Sequence, residues 1–68
     1  MKEKILIQFG QRIREERNRR RLSQEELADK AGVHRTYIGM VERGEKNITL
    51  LNIQRIAQAL SRSIGEMF

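Results

Sequence analysis

Residues 24 to 43, QEELADKAGVHRTYIGMVER, constrain the fold more than any other part of the chain. Apolar or small residues recur there at spacings of three and four, the period of an α-helix, and the pattern breaks at Ala31-Gly32-Val33. We therefore predict two short helices separated by a turn. The positions predicted to face the core are Leu27, Ala28, Ala31, Val33, Ile38 and Val41. The positions predicted to face outward are Arg35, Thr36, Gly39, Met40 and Arg43.

The segment before this stretch has the pattern of a longer helix, from about Lys4 to about Arg20. Gly10 lies inside it, where glycine costs about 1 kcal/mol relative to alanine. Close packing against another helix would account for a glycine at this position. The predicted core-facing stripe of this helix is Leu6, Phe9 and Ile13.

Capping signals set the boundaries of the helices that follow. Ser23 and Glu26 have the spacing of a capping box, which starts the second helix, and Gly32 supplies the positive φ that ends it. The third helix is predicted from about Arg35 to Arg43, with Gly44 as its stop.

A fourth helix is predicted from about Leu50 to Leu60, after a polar turn and with Thr49 as its N-cap. Ser63 and Glu66 repeat the capping-box spacing and predict one last helical turn over residues 64 to 68. The sequence therefore predicts an all-α, five-helix fold, with residues 1 to 68 forming a single domain.

Composition excludes several classes of function. The 68 residues include no cysteine and one histidine, so neither a disulfide framework nor a multi-histidine metal site can form, and no cofactor is expected. No nucleophile, base and acid set or phosphate loop is present, so the chain is not predicted to be an enzyme. The apolar run at residues 5 to 7 is too short for a signal peptide or membrane span, and we expect a cytoplasmic protein.

The net charge of +5 is unevenly distributed. Residues 1 to 23 hold eight basic and three acidic residues, while the rest of the chain is balanced. Much of the excess lies in the run Arg17-Asn18-Arg19-Arg20-Arg21, which would attract a nucleic-acid backbone. The same run is equally compatible with a solvated helix end, where cations suit the helix dipole. Charge alone leaves both interpretations open.

Two segments carry a family resemblance. Leu22-Ser23-Gln24-Glu25-Glu26-Leu27-Ala28 resembles the second-helix signature of the lambda-repressor-like, or XRE, helix-turn-helix family, with Gly32-Val33 at its turn. Val41-Glu42-Arg43-Gly44 resembles the segment that closes its third helix. The chain is most similar to restriction-modification controller proteins, in which His-Arg-Thr-Tyr-Ile or a near variant opens that helix. The resemblance implies a homodimeric DNA-binding transcriptional regulator of a pseudo-palindromic operator.

The resemblance also implies roles for individual residues. An Arg35 fork could bond guanine, and the Thr36 methyl could rest on the thymine methyl, in the major groove. Gln24 corresponds to a residue that touches a phosphate and braces the third helix. Base contact is implied for Arg35, Thr36, Tyr37, Gly39 and Met40. Backbone contact is implied for Gln24, Ser23, Arg43, Lys46, Asn47 and Arg17.

Two residues depart from the family pattern. Glu16 stands where the family commonly has leucine, so the end of the first helix must be packed or solvated differently. Arg21 stands where the family commonly has glycine. If the same left-handed turn forms, Arg21 adopts a positive φ at a cost of roughly 1 kcal/mol.

Apolar residues clustered on the last two predicted helices predict a homodimer interface, although they could instead close the monomer core. These residues are Leu50, Ile64, Met67 and Phe68. Tyr37 could likewise be a packing residue, and His34 could reach a phosphate or cap its helix. In activators of this family, acidic residues at the positions of Glu25 and Asp29 contact RNA polymerase. The alternatives are a phage-type repressor or antitoxin of the same fold, or a helical protein-interaction module.

Overall fold

The computed structural model describes residues 3–68, which form four α-helices followed by one short 3-10 helix. The α-helices are α1 (Lys4–Arg19), α2 (Gln24–Ala31), α3 (Arg35–Glu42) and α4 (Leu50–Ala59), and the 3-10 helix is Ile64–Met67. No strand occurs within these described residues. The predicted all-α class is confirmed, but the count of five helices is wrong, because the last segment is a single 3-10 turn.

The predicted helix starts are confirmed by their capping bonds. The Ser23 hydroxyl accepts from the Glu26 N–H (3.0 Å) and the Glu26 carboxylate accepts from the Ser23 N–H (2.8 Å), which completes the capping box of α2. Thr49 caps α4 by accepting from the Asn52 N–H at 3.2 Å. The predicted ends of α1, α3 and α4 extend one residue too far, since Arg20, Arg43 and Leu60 are cap residues.

Residues in the left-handed backbone conformation follow the ends of the helices. Gly32 has φ 72° and Gly44 has φ 71°, as predicted for their stops. Arg21 has φ 56°, so the turn that favours glycine does form around an arginine. There the Leu22 N–H donates back to the Arg17 carbonyl at 3.1 Å, the six-to-one bond of a Schellman motif. The backbone between α1 and α2 is thus fixed despite the departure from glycine.

The core lies between the four α-helices, with α2 packed on α3 and α4, and α1 packed on α3. Leu6 is half-buried rather than in the core, because the buried stripe of α1 begins at Phe9. Gly10 lies directly against the end of α3: a Cβ there would be 2.3 Å from the Val41 carbonyl oxygen. The predicted close packing at Gly10 is confirmed. The buried apolar residues are Phe9, Ile13, Leu27, Ala28, Ala31, Ile38, Val41, Ile56, Ala57, Leu60 and Met67.

Glu16 continues the buried stripe of α1 and is fully buried. Arg20 and Arg19 contact its carboxylate at 2.6 and 2.7 Å from the end of α1, and Arg62 reaches it at 3.2 Å from beyond α4. The hydrogen bond from Arg20 is the largest cause that lowers the pKa of Glu16, to about 2, while burial opposes it. An ionised carboxylate therefore replaces leucine as the link between α1 and the end of the chain.

Acid should destabilise the fold through Glu16. Because its pKa is lower in the folded than in the unfolded chain, its contribution is complete above pH 4.5 and is lost as the pH falls toward about 2. We expect the difference in unfolding free energy between the wild type and Glu16→Gln to shrink across this window. Urea unfolding at a series of pH values measures it. A difference that stays constant would mean that Glu16 is not an ionised buried group.

Candidate nucleic-acid interface

The first turn of α3 presents Arg35 and Thr36 to solvent. His34 caps this helix, since its Nδ1 accepts from the Thr36 N–H at 3.1 Å, in agreement with the capping interpretation. The Arg35 guanidinium lies 3.3 Å from the Glu25 carboxylate on α2. Both side chains of this pair are well exposed, so the pair is weak and Arg35 can reorient toward a ligand.

Tyr37 packs against the core with its ring, while its hydroxyl remains near the surface. Its side chain is half-buried and packs against the core. Its hydroxyl lies at the surface of α4, where it accepts a hydrogen bond from the Asn52 amide at 3.2 Å. Because the oxygen accepts this bond, its own hydrogen is available to donate elsewhere. Met40 is also half-buried, one turn further along α3.

Gly39 does not face outward as predicted, because it is buried. A Cβ on it would lie 3.2 Å from Nη1 of Arg43 and 3.5 Å from Oε1 of Gln24. These two long side chains therefore lie over Gly39. The absence of a side chain there makes room for them and does not expose the backbone to a partner.

A buried carboxylate, Glu42, joins the first three helices. Its Oε1 accepts from Gln24 at 3.1 Å and from Arg14 at 3.4 Å, while Arg17 donates to both of its oxygens at 2.6 and 3.0 Å. Burial raises the pKa of Glu42, but the hydrogen bonds from Arg17 and Gln24 outweigh burial and hold it below its ordinary value. The site is thus organised around an ionised group inside the fold.

The structure does not support Arg17 as a backbone contact. Its side chain is 13% exposed, and it donates to Glu42 and, at 2.9 Å, to the Leu22 carbonyl. With its donors used inside the fold, Arg17 braces α1 against α3 and the start of α2. Arg19 and Arg20, in the same basic run, are bound to Glu16. Three of the four arginines in this run are therefore engaged within the fold, which weakens the interpretation of the run as a general phosphate-binding surface.

The remaining predicted backbone contacts lie around the end of α3 and the start of α2. Arg43 is exposed and pairs with Glu45 at 3.0 Å. Lys46 and Asn47 are exposed in the loop that follows. The Ser23 hydroxyl oxygen is used as the cap of α2, whereas Gln24 is half-buried against Glu42. The structure brings Gln24 and Arg43 together over Gly39.

Sequence reasoning missed the two buried carboxylates, although the helical period contained the signal. Glu16 lies seven residues after Phe9 and three after Ile13, on the core stripe of α1. Glu42 follows Ile38 by four residues on the core side of α3. An acidic residue at a core-facing position requires cationic partners, and the arginines of α1 supply them. The contact between Arg14 and Glu42 was missed as well, because it exists only where Glu42 is packed against α1.

Several large apolar side chains are exposed on α1, on α4 and at Phe68. Leu50 is 71% exposed and Phe68 is 65% exposed, and the Phe68 ring stacks on Phe9 with centroids 5.0 Å apart. Ile5 and Leu51, which the sequence analysis did not select, are exposed large apolar residues as well. Met67 corrects the prediction, since it is 1% exposed and belongs to the monomer core. Ile64 is half-buried.

Residues 3–68 contain neither a membrane-spanning helix nor a group of metal-ligating side chains. No helix there is both long and apolar enough to cross a lipid bilayer. No three His, Cys, Asp or Glu side chains within the same residues are grouped so that they could hold a metal ion.

Known proteins are similar to this chain in sequence and in fold. The pattern of the helix-turn-helix family matches residues 13–67. The chain is 47% identical over 59 residues to the control protein C.SmaI of Serratia marcescens, covering 87% of this chain and 70% of that protein. It is 44% identical over 61 residues to the control protein C.BamHI of Bacillus amyloliquefaciens, covering 88% of this chain and 75% of that protein.

A solved structure agrees with these sequence matches. The crystal structure of the restriction-modification controller protein C.AhdI from Aeromonas hydrophila superimposes with a TM-score of 0.94 at 47% identity. The match covers 97% of this chain and 100% of that one. Helices α2 and α3 pack on each other, and α3 is capped at its start. In agreement with the sequence and structure matches, the chain belongs to the XRE-type helix-turn-helix family, which includes restriction-modification control proteins.

Proposed function

We propose that this protein is a sequence-specific DNA-binding transcriptional regulator, the controller of a restriction-modification system. The observation that carries the proposal is the exposed pair Arg35 and Thr36 on the first turn of a capped helix. A helix that presents such side chains at its N-terminal end suits insertion into a major groove. Similarity to control proteins over most of the chain supports the same function.

Arg35 and Thr36 read base edges in this proposal, and their neighbours position the protein on the DNA backbone. Gln24 and Arg43 lie side by side, and Lys46 and Asn47 follow in an exposed loop. Each of these four side chains can donate a hydrogen bond to a phosphate oxygen. Met40 completes the face of α3 toward the groove, Tyr37 donates its free hydroxyl hydrogen to the backbone, and Ser23 contributes mainly as the α2 cap.

Selection of bound sites from random DNA tests the proposal directly. We expect one recovered sequence with two half-sites related by a two-fold axis, about one helical turn apart. Recovery of random sequences would contradict sequence-specific binding. Binding should also weaken steeply as salt rises, since backbone contacts release counterions.

Arg35→Ala should weaken operator binding by roughly 1 to 3 kcal/mol and relax the preference at one base position of each half-site. The reason is the loss of a bidentate guanidinium contact to a base edge. Competition binding with single-base operator variants measures the change. Lys46→Ala is the control, because loss of a backbone contact weakens operator and random DNA alike. If Arg35→Ala behaved like Lys46→Ala, base reading by Arg35 would be wrong.

We also propose that the exposed apolar side chains Leu50 and Phe68, with Ile64, form an interface between two copies of the chain. Leu50 and Phe68 are large and exposed in the monomer and Ile64 is half-buried, so a partner covering them would remove apolar area from water. A dimer of this kind places two α3 helices on one operator. Phe68→Ser and Leu50→Ser should each convert the dimer to a monomer in sedimentation at micromolar concentration. A wild-type monomer under those conditions would rule the interface out.

Contact with RNA polymerase through Glu25 and Asp29 would add activation to binding. Both side chains are exposed on α2, which supports their availability to a second protein. Asp29→Ala should then reduce transcription from an activated promoter while operator affinity stays the same. Equal transcription by the wild type and the variant would remove this part of the proposal.

A further inference from the structure

Arg14 is a cation of α1 that lies close to Gln24, one of the proposed backbone contacts. Its side chain is 56% exposed. Its only contact with Glu42 is a long one, 3.4 Å from Nε to Oε1. This bond uses Nε, which leaves the two terminal nitrogens of the guanidinium to form a bidentate contact with a phosphate.

Arg17, one turn later on the same helix, provides the contrast. Its Nε and Nη2 donate to Glu42 and its Nη1 donates to Leu22, so all three nitrogens are used within the fold. Arg17 also compensates the Glu42 charge, which is buried. A phosphate approaching Arg14 would therefore not meet an unbalanced carboxylate.

The position of Arg14 is fixed relative to a proposed backbone contact. Arg14 and Gln24 donate to the same atom, Oε1 of Glu42, so their donor groups must lie close together. Gln24 in turn lies beside Arg43 over Gly39. Side chains from α1, α2 and the end of α3 thus form one polar surface patch. It contains two exposed cations, Arg14 and Arg43, and is supported by the buried Glu42 carboxylate.

We propose that Arg14 is the residue through which α1 contacts the DNA backbone, and that buried Glu42 positions it beside Gln24. This inference rests on the proposed DNA-binding function and adds to it a contact from a helix outside the helix-turn-helix pair. Arg14 contributes affinity without sequence preference, because a phosphate is the same at every base pair.

The test compares Arg14→Gln with Arg19→Gln in the full-length protein. Arg19 is the matched control: it is an exposed arginine of α1 (59%) bound to Glu16, and about 140° around the helix from Arg14. Binding to one operator and one random duplex is measured over a series of salt concentrations. For Arg14→Gln we expect the slope of log K against log salt to fall by about one unit, with equal relative losses on both duplexes. For Arg19→Gln we expect less than half of that change.

Two further variants separate a DNA contact from a structural role. Arg14→Lys keeps the charge and should retain most of the wild-type salt slope. Arg17→Gln should lower the melting temperature, whereas Arg14→Gln should leave it nearly unchanged. Equal slope changes in the Arg14→Gln and Arg19→Gln variants would overturn the inference, as would a melting temperature of Arg14→Gln as low as that of Arg17→Gln.

Failure of the inference can be told apart from failure of the proposed function. If the wild type selects an operator and Arg35→Ala relaxes its specificity, but Arg14→Gln keeps the wild-type salt slope, only the role of Arg14 is wrong. If the wild type shows no salt-dependent binding to DNA, the proposed function itself is wrong and Arg14 has no DNA to contact.

Discussion

Gly10→Ala should destabilise the protein by about 3 kcal/mol, although alanine is the better helix former by about 1 kcal/mol. The added Cβ would lie 2.3 Å from the Val41 carbonyl oxygen and 2.7 Å from that of Glu42. Both are backbone atoms at the end of α3, so no side-chain rotation can relieve the overlap. Helix α1 would have to move away from α3, and the hydrogen bonds from Arg14 and Arg17 to Glu42 would be disturbed. Urea unfolding measures the loss.

Gly65→Ala is the matched control, because a Cβ there meets no atom within 4 Å. We expect its unfolding free energy to stay within about 0.5 kcal/mol of the wild type. Near-equal stability of the Gly10→Ala and Gly65→Ala variants would mean that α1 and α3 are not in close backbone contact. Since a domain of this size has a stability of only about 5 kcal/mol or slightly more, Gly10→Ala should keep only about 2 kcal/mol and unfold at a clearly lower urea concentration than the wild type.

Glu42→Gln should destabilise the fold by roughly 3 to 5 kcal/mol. The substitution removes a buried charge while Arg17, which is nearly buried and donates twice to it, keeps its own. An uncompensated buried cation is the costly outcome of breaking such a pair. The variant should also lose DNA affinity at temperatures where it is still folded, because a neutral amide with one acceptor oxygen would hold Gln24 less firmly than the carboxylate does. Thermal unfolding and operator binding at low temperature separate these two effects.

A double variant distinguishes the two roles of Glu42. In Glu42→Leu/Arg17→Met, both charges are replaced by apolar side chains of similar size, a change that is often neutral or stabilising for a buried pair. We expect stability to recover while DNA binding stays weak, since nothing then holds Gln24 and Arg14 in place. Recovery of wild-type affinity together with stability would show that Glu42 acts only on the fold.

The helix pair and its caps could be predicted from local sequence. Ser23 and Glu26 interact over one turn, and Gly32 and Gly44 set backbone angles at single positions. Such features depend on neighbours in the chain, so they are readable without the fold. The outward positions of Arg35 and Thr36 follow from the same helical period.

The partners of charged side chains could not be predicted in this way. Arg14 and Arg17 are three residues apart on one helix and look alike in the sequence, yet one is exposed and the other is almost enclosed. The difference arises because Glu42, which is 25 residues from Arg17 along the chain, is brought against α1 only when α3 packs there. Met67 and Gly39 were misplaced for the same reason, since their burial depends on elements distant in sequence.

The sequence by itself determined the all-α class, the helix boundaries to within a residue and the exposed positions of Arg35 and Thr36 on α3. Each of these depends on hydrogen bonds and periodicities that span a few residues. The tertiary structure alone decided that two carboxylates are buried, that most of the basic run is bound to them, and that Arg14 remains exposed. These outcomes depend on which helices meet, because a buried charge is tolerated only where distant residues supply its counterion.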